Sequence, residues 1–201
     1  MRYFRINKIL LLAALLLLAA CTPRSIILSI PPDINSKIAE ANASVCAYKG
    51  RVSVIYDNGK EDVRFKGLLN KDCKDNFRLK ILGFFNTVAY DVRYTDGVVE
   101  AYEKGEDVSL EMDYFMRSKG LDNMVSLIRY PHVKIDNSFK VKAVMNEYIL
   151  TKGPVTVAAG QDFLINSITF GSTSFTYSYT DGKLTQLVYK DADTSVEIKL
   201  R

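Results

Sequence analysis

From residue 46 to residue 102 apolar and polar side chains alternate with a period of two. Cys46, Tyr48, Gly50, Val52, Val54 and Tyr56 share one face of a first strand, and Val63, Phe65, Gly67 and Leu69 one face of a second. Phe77 to Leu82 and Thr87 to Tyr94 follow as third and fourth strands. Val98 to Tyr102 is a fifth, entered through Thr95-Asp96-Gly97. The idiom returns in the C-terminal part, where seven more segments are strand-like: Phe139 to Ala143, Tyr148 to Thr151, Val155 to Ala158, Phe163 to Phe170, Ser174 to Tyr179, Leu184 to Lys190 and Ser195 to Leu200. Tyr179-Thr180-Asp181-Gly182 repeats the turn chemistry of Tyr94-Thr95-Asp96-Gly97. Strands joined by such short turns predict a mainly β (α+β) fold, an incomplete antiparallel β-barrel or strongly curved sheet.

Two stretches change the period to that of a helix. Asp33 offers an N-cap, and Ile34, Ile38 and Ala41 recur at helical spacing to about Asn42. In the middle, Met112, Phe115 and Met116 form a stripe that Gly120 breaks. Leu121, Met124, Val125 and Ile128 then recur at i, i+3, i+4 and i+7 until Pro131. A helical hairpin inserted in an all-strand chain would cover the open face of a curled sheet.

The connection between the third and fourth strands is Leu82-Gly83-Phe84-Phe85-Asn86. Turns ordinarily use Gly, Asn, Asp and Ser, so two phenylalanines there call for a reason. They either fold back into the core or stand out to meet an apolar partner. Burial of a Phe side chain stabilises by roughly 1.5 to 3 kcal/mol in either place, so energy alone does not choose.

The N-terminus narrows the setting. Arg2, Arg5 and Lys8 precede an uncharged apolar run from Ile9 to Ala20, short for a membrane span and suited to a signal peptide. Leu18-Ala19-Ala20-Cys21 resembles the lipobox of bacterial lipoproteins, which implies cleavage before Cys21 and acylation of that residue; the alternative is an uncleaved signal anchor. Residues 1–20 are thus expected as signal peptide, 21–32 as tether and 33–201 as one domain. Thr22 after the Cys points to the outer membrane. The first twenty residues hold three basic and no acidic side chains, so the remainder carries 24 against 23 and a net charge of +1. The basic balance of the whole chain therefore gives no ground for a nucleic-acid partner.

Asn58-Gly59 is a type I′ hairpin signal. A two-residue turn there places Cys46 opposite residue 71, two positions from Cys73, so a Cys46–Cys73 disulfide is expected in an oxidising compartment. Two unpaired thiols are the alternative. No catalytic constellation is present: His132 is the single histidine and follows Pro131 without a nucleophile motif. Paired Cys or an HExxH helix for a metal are missing, as are Gly-rich phosphate loops. We expect no enzyme activity, cofactor or metal.

The lipobox, an N-terminal helix leading to "YKGRVSV" (Tyr48 to Val54), "DVRFKGLL" (Asp62 to Leu69) and "FRLKILGFFNT" (Phe77 to Thr87) together resemble the outer-membrane lipoprotein carrier and receptor family (LolA/LolB-like). The likeness covers roughly residues 34 to 130. It implies a half-barrel whose apolar cavity holds acyl chains, and a protruding third connection that meets the membrane. The family's Asn-Pro-Leu-Gly-Ser-Thr falls on Leu82 to Thr87, so Phe84 takes the leucine position and Phe85 replaces glycine, while the proline is absent. Phe84 and Phe85 are the candidate membrane or cargo loop. Val52, Val54, Phe65, Leu79, Val88 and Tyr90 would line the cavity, with Met112, Met116 and Met124 on the covering helices; ordinary core is the alternative for all of them. The expected protein is a monomer anchored through Cys21 in the outer membrane of a Gram-negative cell envelope. It would face the periplasm, bind acyl chains of lipoproteins or lipids, and meet a soluble periplasmic carrier. The alternative is an accessory envelope lipoprotein with a packed interior that binds a protein partner.

Overall fold

A computed structural model of the 201-residue chain describes residues 29–118, 125, 127–130 and 133–201. Cys21, Met124 and His132 lie outside the described residues, as do the signal segment and most of the tether.

Thirteen strands among the described residues form one antiparallel sheet. The first six are β1 (Tyr48–Asp57), β2 (Asp62–Lys71), β3 (Phe77–Leu82), β4 (Val88–Thr95), β5 (Val98–Glu103) and the two-residue β6 (Glu106–Asp107). After the helical middle come β7 (Lys140–Val144), β8 (Glu147–Lys152), β9 (Val155–Ala159) and β10 (Ile165–Phe170). The last three are β11 (Thr173–Thr180), β12 (Lys183–Lys190) and β13 (Ser195–Leu200). Their spatial order is β6-β5-β4-β3-β2-β1-β13-β12-β11-β10-β9-β8-β7. Each half is a meander, and β1 pairs with β13 from Val52↔Leu200 to Asp57↔Ser195 to fuse them. The sheet does not close. Its free edges, β6 and β7, are consecutive strands, and the chain between them carries the helix α2 (Ser109–Ser118). A further helix, α1 (Ile34–Ala43), precedes β1.

Turn chemistry explains the tight meander. Asp96-Gly97 (φ 51° and 94°), Lys104-Gly105 (49° and 94°) and Asp181-Gly182 (51° and 70°) put both central residues in the left-handed region that a two-residue hairpin requires. Asn58-Gly59 behaves differently. Asp57 pairs with Asp62, so four residues make this connection. Asn58 caps it, its Oδ1 accepting the N–H of Lys60 (3.0 Å) and Glu61 (2.7 Å). The register therefore moves by two residues from the expected one. Tyr48 meets Lys71, and continuing the ladder brings Cys46 directly opposite Cys73. The two form a disulfide with Cα atoms 5.0 Å apart. Beside it Lys71 is buried, its ammonium donating to the carbonyls of Cys46 (2.8 Å) and Asp72 (2.9 Å) and pairing with Asp75 at 3.6 Å. Burial pushes the pKa of this amine down.

One face of the sheet is buried. Val52, Val54 and Tyr56 on β1 continue across to Leu200, Ile198 and Val196 on β13 and to Leu187 and Tyr189 on β12. The inner face of α1 packs on it through Ile34, fully buried Ile38, and Asn42. Asn42 is a polar residue placed on an apolar stripe, and every polar atom of its side chain has a partner. Its amide donates to the carbonyls of Ile38 (2.6 Å) and Phe163 (3.1 Å). Its oxygen accepts the Ile165 N–H (3.1 Å) and the Tyr130 hydroxyl. The Tyr130 hydroxyl also lies against that of Tyr179, which reaches the Ile165 carbonyl at 2.8 Å, so two hydroxyl hydrogens serve these three contacts. Burial raises the pKa of both phenols, so they stay neutral donors. Removing one member would leave buried polar atoms unpaired, at a cost of about 1 to 3 kcal/mol for each. The network ties α1, the segment 127–130, β10 and β11 together.

The disulfide spans 27 positions. In the chain-entropy treatment a loop of that length stabilises by roughly 3 to 4 kcal/mol. Thermal melts with and without dithiothreitol should therefore separate by roughly 6 to 16 degrees, with a Cys46→Ser/Cys73→Ser variant following the reduced curve. Coincident melts would show that the bridge does not constrain the unfolded chain.

Candidate functional site

The connection between β3 and β4 is a single 3-10 turn, Phe84–Asn86, flanked by Gly83 and Thr87. Backbone and hydroxyl groups close it. The Gly83 N–H donates to the Thr87 carbonyl (2.8 Å), while the Thr87 N–H (3.2 Å) and hydroxyl (2.8 Å) both donate to the Phe84 carbonyl. No side-chain packing is needed to shape this loop, and neither ring turns inward: Phe84 is 91% and Phe85 96% exposed. Phe85 has φ 58°, ψ 24°, and Asn86 follows with φ 59°. A bulky residue in the left-handed region carries roughly 1 to 2 kcal/mol of strain. Glycine, which the resembled pattern has at this position, would carry none. A strained, water-exposed phenylalanine is an observation that asks for a function.

The proposed cavity residues divide. Val52, Val54, Leu79 and Met116 are buried in the main core, and Phe65, Tyr90 and Met112 are half-buried against it. Val88 is elsewhere. Ile81 pairs with Tyr90 but Leu82 with Val88, so Ala89 is an extra residue in β4. That bulge turns Val88 to the outer face beside Leu82, 44% exposed. Among the described residues α1, Leu127, Ile128 and Tyr130 join this buried core.

α2 starts at a cap formed by Asp107, whose carboxylate accepts the N–H (3.0 Å) and hydroxyl (2.6 Å) of Ser109. The Ala101 N–H in turn donates to that hydroxyl at 2.9 Å. These bonds hold the Asp107 pKa down and fix α2 against β5. Met116 and Met112 face the sheet, whereas Phe115, expected in the same stripe, stands half in water with Leu110 and Tyr114.

The outer face of β1 to β4 holds a feature that the sequence reading missed. Read across strands, Ser53, Lys66, Leu82 and Val88 form the row nearest the turn. Arg51, Leu68, Lys80 and Asp91 form the next, and Lys49, Asn70, Arg78 and Arg93 the third. A groove of about 540 Å³ runs along the second and third rows. A smaller hollow of about 120 Å³, bordered by Arg51, Lys66, Leu82 and Asn86, leads from it to the turn. Asp91 is engaged: Arg78 Nε donates to it at 2.7 Å, the other Arg78 nitrogen closes the fork, and Arg93 lies 3.4 Å away. The Arg78 bonds hold its pKa below the usual range.

Because the turn closes without its rings, Phe84→Ser/Phe85→Gly should change unfolding free energy by less than about 0.5 kcal/mol or raise it. Phe77→Ala, by contrast, should cost roughly 3 to 5 kcal/mol, since that ring is 5% exposed and stacks on Tyr94 with centroids 5.3 Å apart. Chemical denaturation of the two variants checks this; equal losses would place the turn rings in the core.

No family model matches the chain, and no curated protein matches it. Solved structures do. A DUF1329 family protein from Desulfovibrio piger aligns over 84% of this chain and 89% of its own at 12% identity, with a TM-score of 0.46. A LolA superfamily protein from Nitrosomonas europaea aligns over 83% of this chain and 93% of its own at 10% identity, with a TM-score of 0.52. At that identity the likeness is one of architecture: the chain has the fold of a LolA superfamily protein, an open antiparallel half-barrel with helices.

Proposed function

We propose that this protein is a non-enzymatic lipoprotein of the Gram-negative cell envelope that binds acyl chains and helps place lipoproteins or lipids at the outer membrane. The observation that carries the reading is the turn Phe84–Asn86, with two phenylalanines held in water at the end of a hairpin. Each ring gains roughly 1.5 to 3 kcal/mol on entering an apolar phase, and the strain at Phe85 is tolerated for that contact. Acylation at Cys21 would anchor the chain, since two acyl signals suffice for stable attachment. Anchoring keeps the turn at the bilayer it acts on. Cargo chains arriving from a soluble periplasmic carrier would pass by differential affinity, first to the inner side of the half-barrel and then to the membrane. The thioethers of Met112 and Met116 are suited to adapt to such chains.

A second reading, an accessory lipoprotein that binds a protein partner, is favoured by the exposed Leu110, Tyr114 and Phe115 of α2.

One experiment separates the two. Acylated full-length protein is placed in acceptor vesicles, and transfer of a fluorescent palmitoylated peptide from donor vesicles is timed. The lipid-placement reading expects wild type to accelerate transfer. It also expects Phe84→Glu or Phe85→Glu to slow it about tenfold, the equivalent of one lost ring insertion, at an unchanged melting temperature. Wild-type protein without effect on the rate would refute it and leave the accessory reading.

A further inference from the structure

The rows of cations on the outer face are aligned with the phenylalanine turn, and that alignment has a chemical meaning of its own. Leu82, Val88, Phe84 and Phe85 make an apolar tip. Lys66 sits beside Leu82 in the same row. Lys80 and Arg51 follow one row back, with Leu68, 41% exposed, between them. Lys49 and Arg78 follow one further row back. Successive rows on one face of a strand are about 7 Å apart. Among the described residues none of Lys49, Arg51, Lys66 and Lys80 has an ion-pair partner, and the nearby carboxylate of Asp91 is occupied by Arg78 and Arg93. Further carboxylates of this face are Glu197 on β13, which pairs with Lys199 at 3.0 Å, Asp62 on β2, which pairs with Arg64 at 2.8 Å, and Glu100 on β5, which stands opposite Arg93.

An apolar tip followed within about 7 to 14 Å by unpaired cations matches the depth profile of a bilayer, whose acyl boundary is reached by residues buried 5 to 10 Å and whose phosphates lie just outside it. Net charge gives no hint of this surface, because the remainder of the chain after residue 20 is nearly neutral. The cations are gathered, not abundant.

We propose that the outer face of β1 to β3 is a docking surface for anionic phospholipid headgroups, with Lys66, Lys80 and Arg51 engaging their phosphates while the turn inserts. The inference deepens the membrane-insertion reading of Phe84 and Phe85 and rests on it. It adds lipid selectivity: the turn supplies insertion into any bilayer, and the cation rows supply preference for a negative one. The smaller hollow beside Arg51, Lys66 and Asn86 is where a headgroup next to the inserted rings would lie.

The test uses the form expected after cleavage, residues 21–201, carrying Cys21→Ser, so that partitioning reports the protein surface and neither an acyl anchor nor the apolar signal segment. Flotation measures its binding to vesicles of phosphatidylcholine alone and of phosphatidylcholine mixed with phosphatidylglycerol. Wild-type surface should bind the anionic vesicles roughly a hundredfold more tightly, with the advantage shrinking as salt is raised. Lys66→Gln/Lys80→Gln should lower anionic binding roughly thirtyfold, about fivefold per cation, and leave phosphatidylcholine binding and the melting temperature unchanged. Equal affinity for the two vesicles, or an anionic preference that survives the double substitution, overturns the proposal. Phe84→Glu keeps the two ideas apart. If it weakens binding to phosphatidylcholine, the turn inserts; if phosphatidylcholine binding is absent from the start while anionic binding persists, the insertion reading fails and the cation surface stands.

Discussion

The hydrogen-bonded pairing of β1 with β13 is the constraint on which this structure depends. The first and last strands are adjacent, so two local meanders become one sheet. The free edges then fall at β6 and β7, where the chain between them is at hand to cover the opening. The pairing also sets the faces. Val52, Val54 and Tyr56 continue into Leu200, Ile198 and Val196, and this apolar band belongs to the same core that α1 and residues 127, 128 and 130 join. Asn42 fixes that packing by direction as well as area, since its amide and oxygen meet four different partners.

Beside the inner face, which the proposed acyl binding would use, the rim and the outer face carry a chemistry of their own. The structure concentrates its unusual chemistry there: a turn that exposes two aromatic rings at a strained φ, and rows of unpaired cations behind it. Separately each feature is weak. Isolated exposed apolar residues are common on protein surfaces, and surface lysines are commoner. Their spacing along the same strands makes them one surface, with an apolar end for insertion and a charged zone for headgroups. Lys71, in the last pair of β2 with β1, and the disulfide just beyond it lie at the opposite end of β2, where they hold the base of the hairpin.

Most of the fold was legible because a period of two is a local property, and so are the Asp-Gly turns. The strands expected from Phe77, Val98, Val155 and Ser195 begin within a residue of those positions or at them. What failed was decided by side-chain competition or by non-local pairing. Asn58-Gly59 carries a strong two-residue turn signal, yet the Asn58 side-chain oxygen accepts from two backbone donors in a loop of four. One extra residue at Ala89 reverses Val88, and no pattern of alternation announces it. Asn42 ends a predicted helix and looks like an ordinary polar terminus; only its place four residues after Ile38 hints that it is buried. The turn phenylalanines could not be assigned from sequence because core and membrane reward burial equally. The cation rows were invisible for another reason: Lys66, Lys80 and Arg51 stand on three strands and meet only through the register.

The central claim is that the rings of the third connection leave water for the acyl region of a bilayer. The chain contains no tryptophan, so Phe84→Trp creates a single reporter at the site. With the protein bound to vesicles, the account predicts that the indole emission shifts to the blue and is quenched by lipids brominated near the top of the acyl chains. An emission that stays at its aqueous position on membrane-bound protein would contradict it.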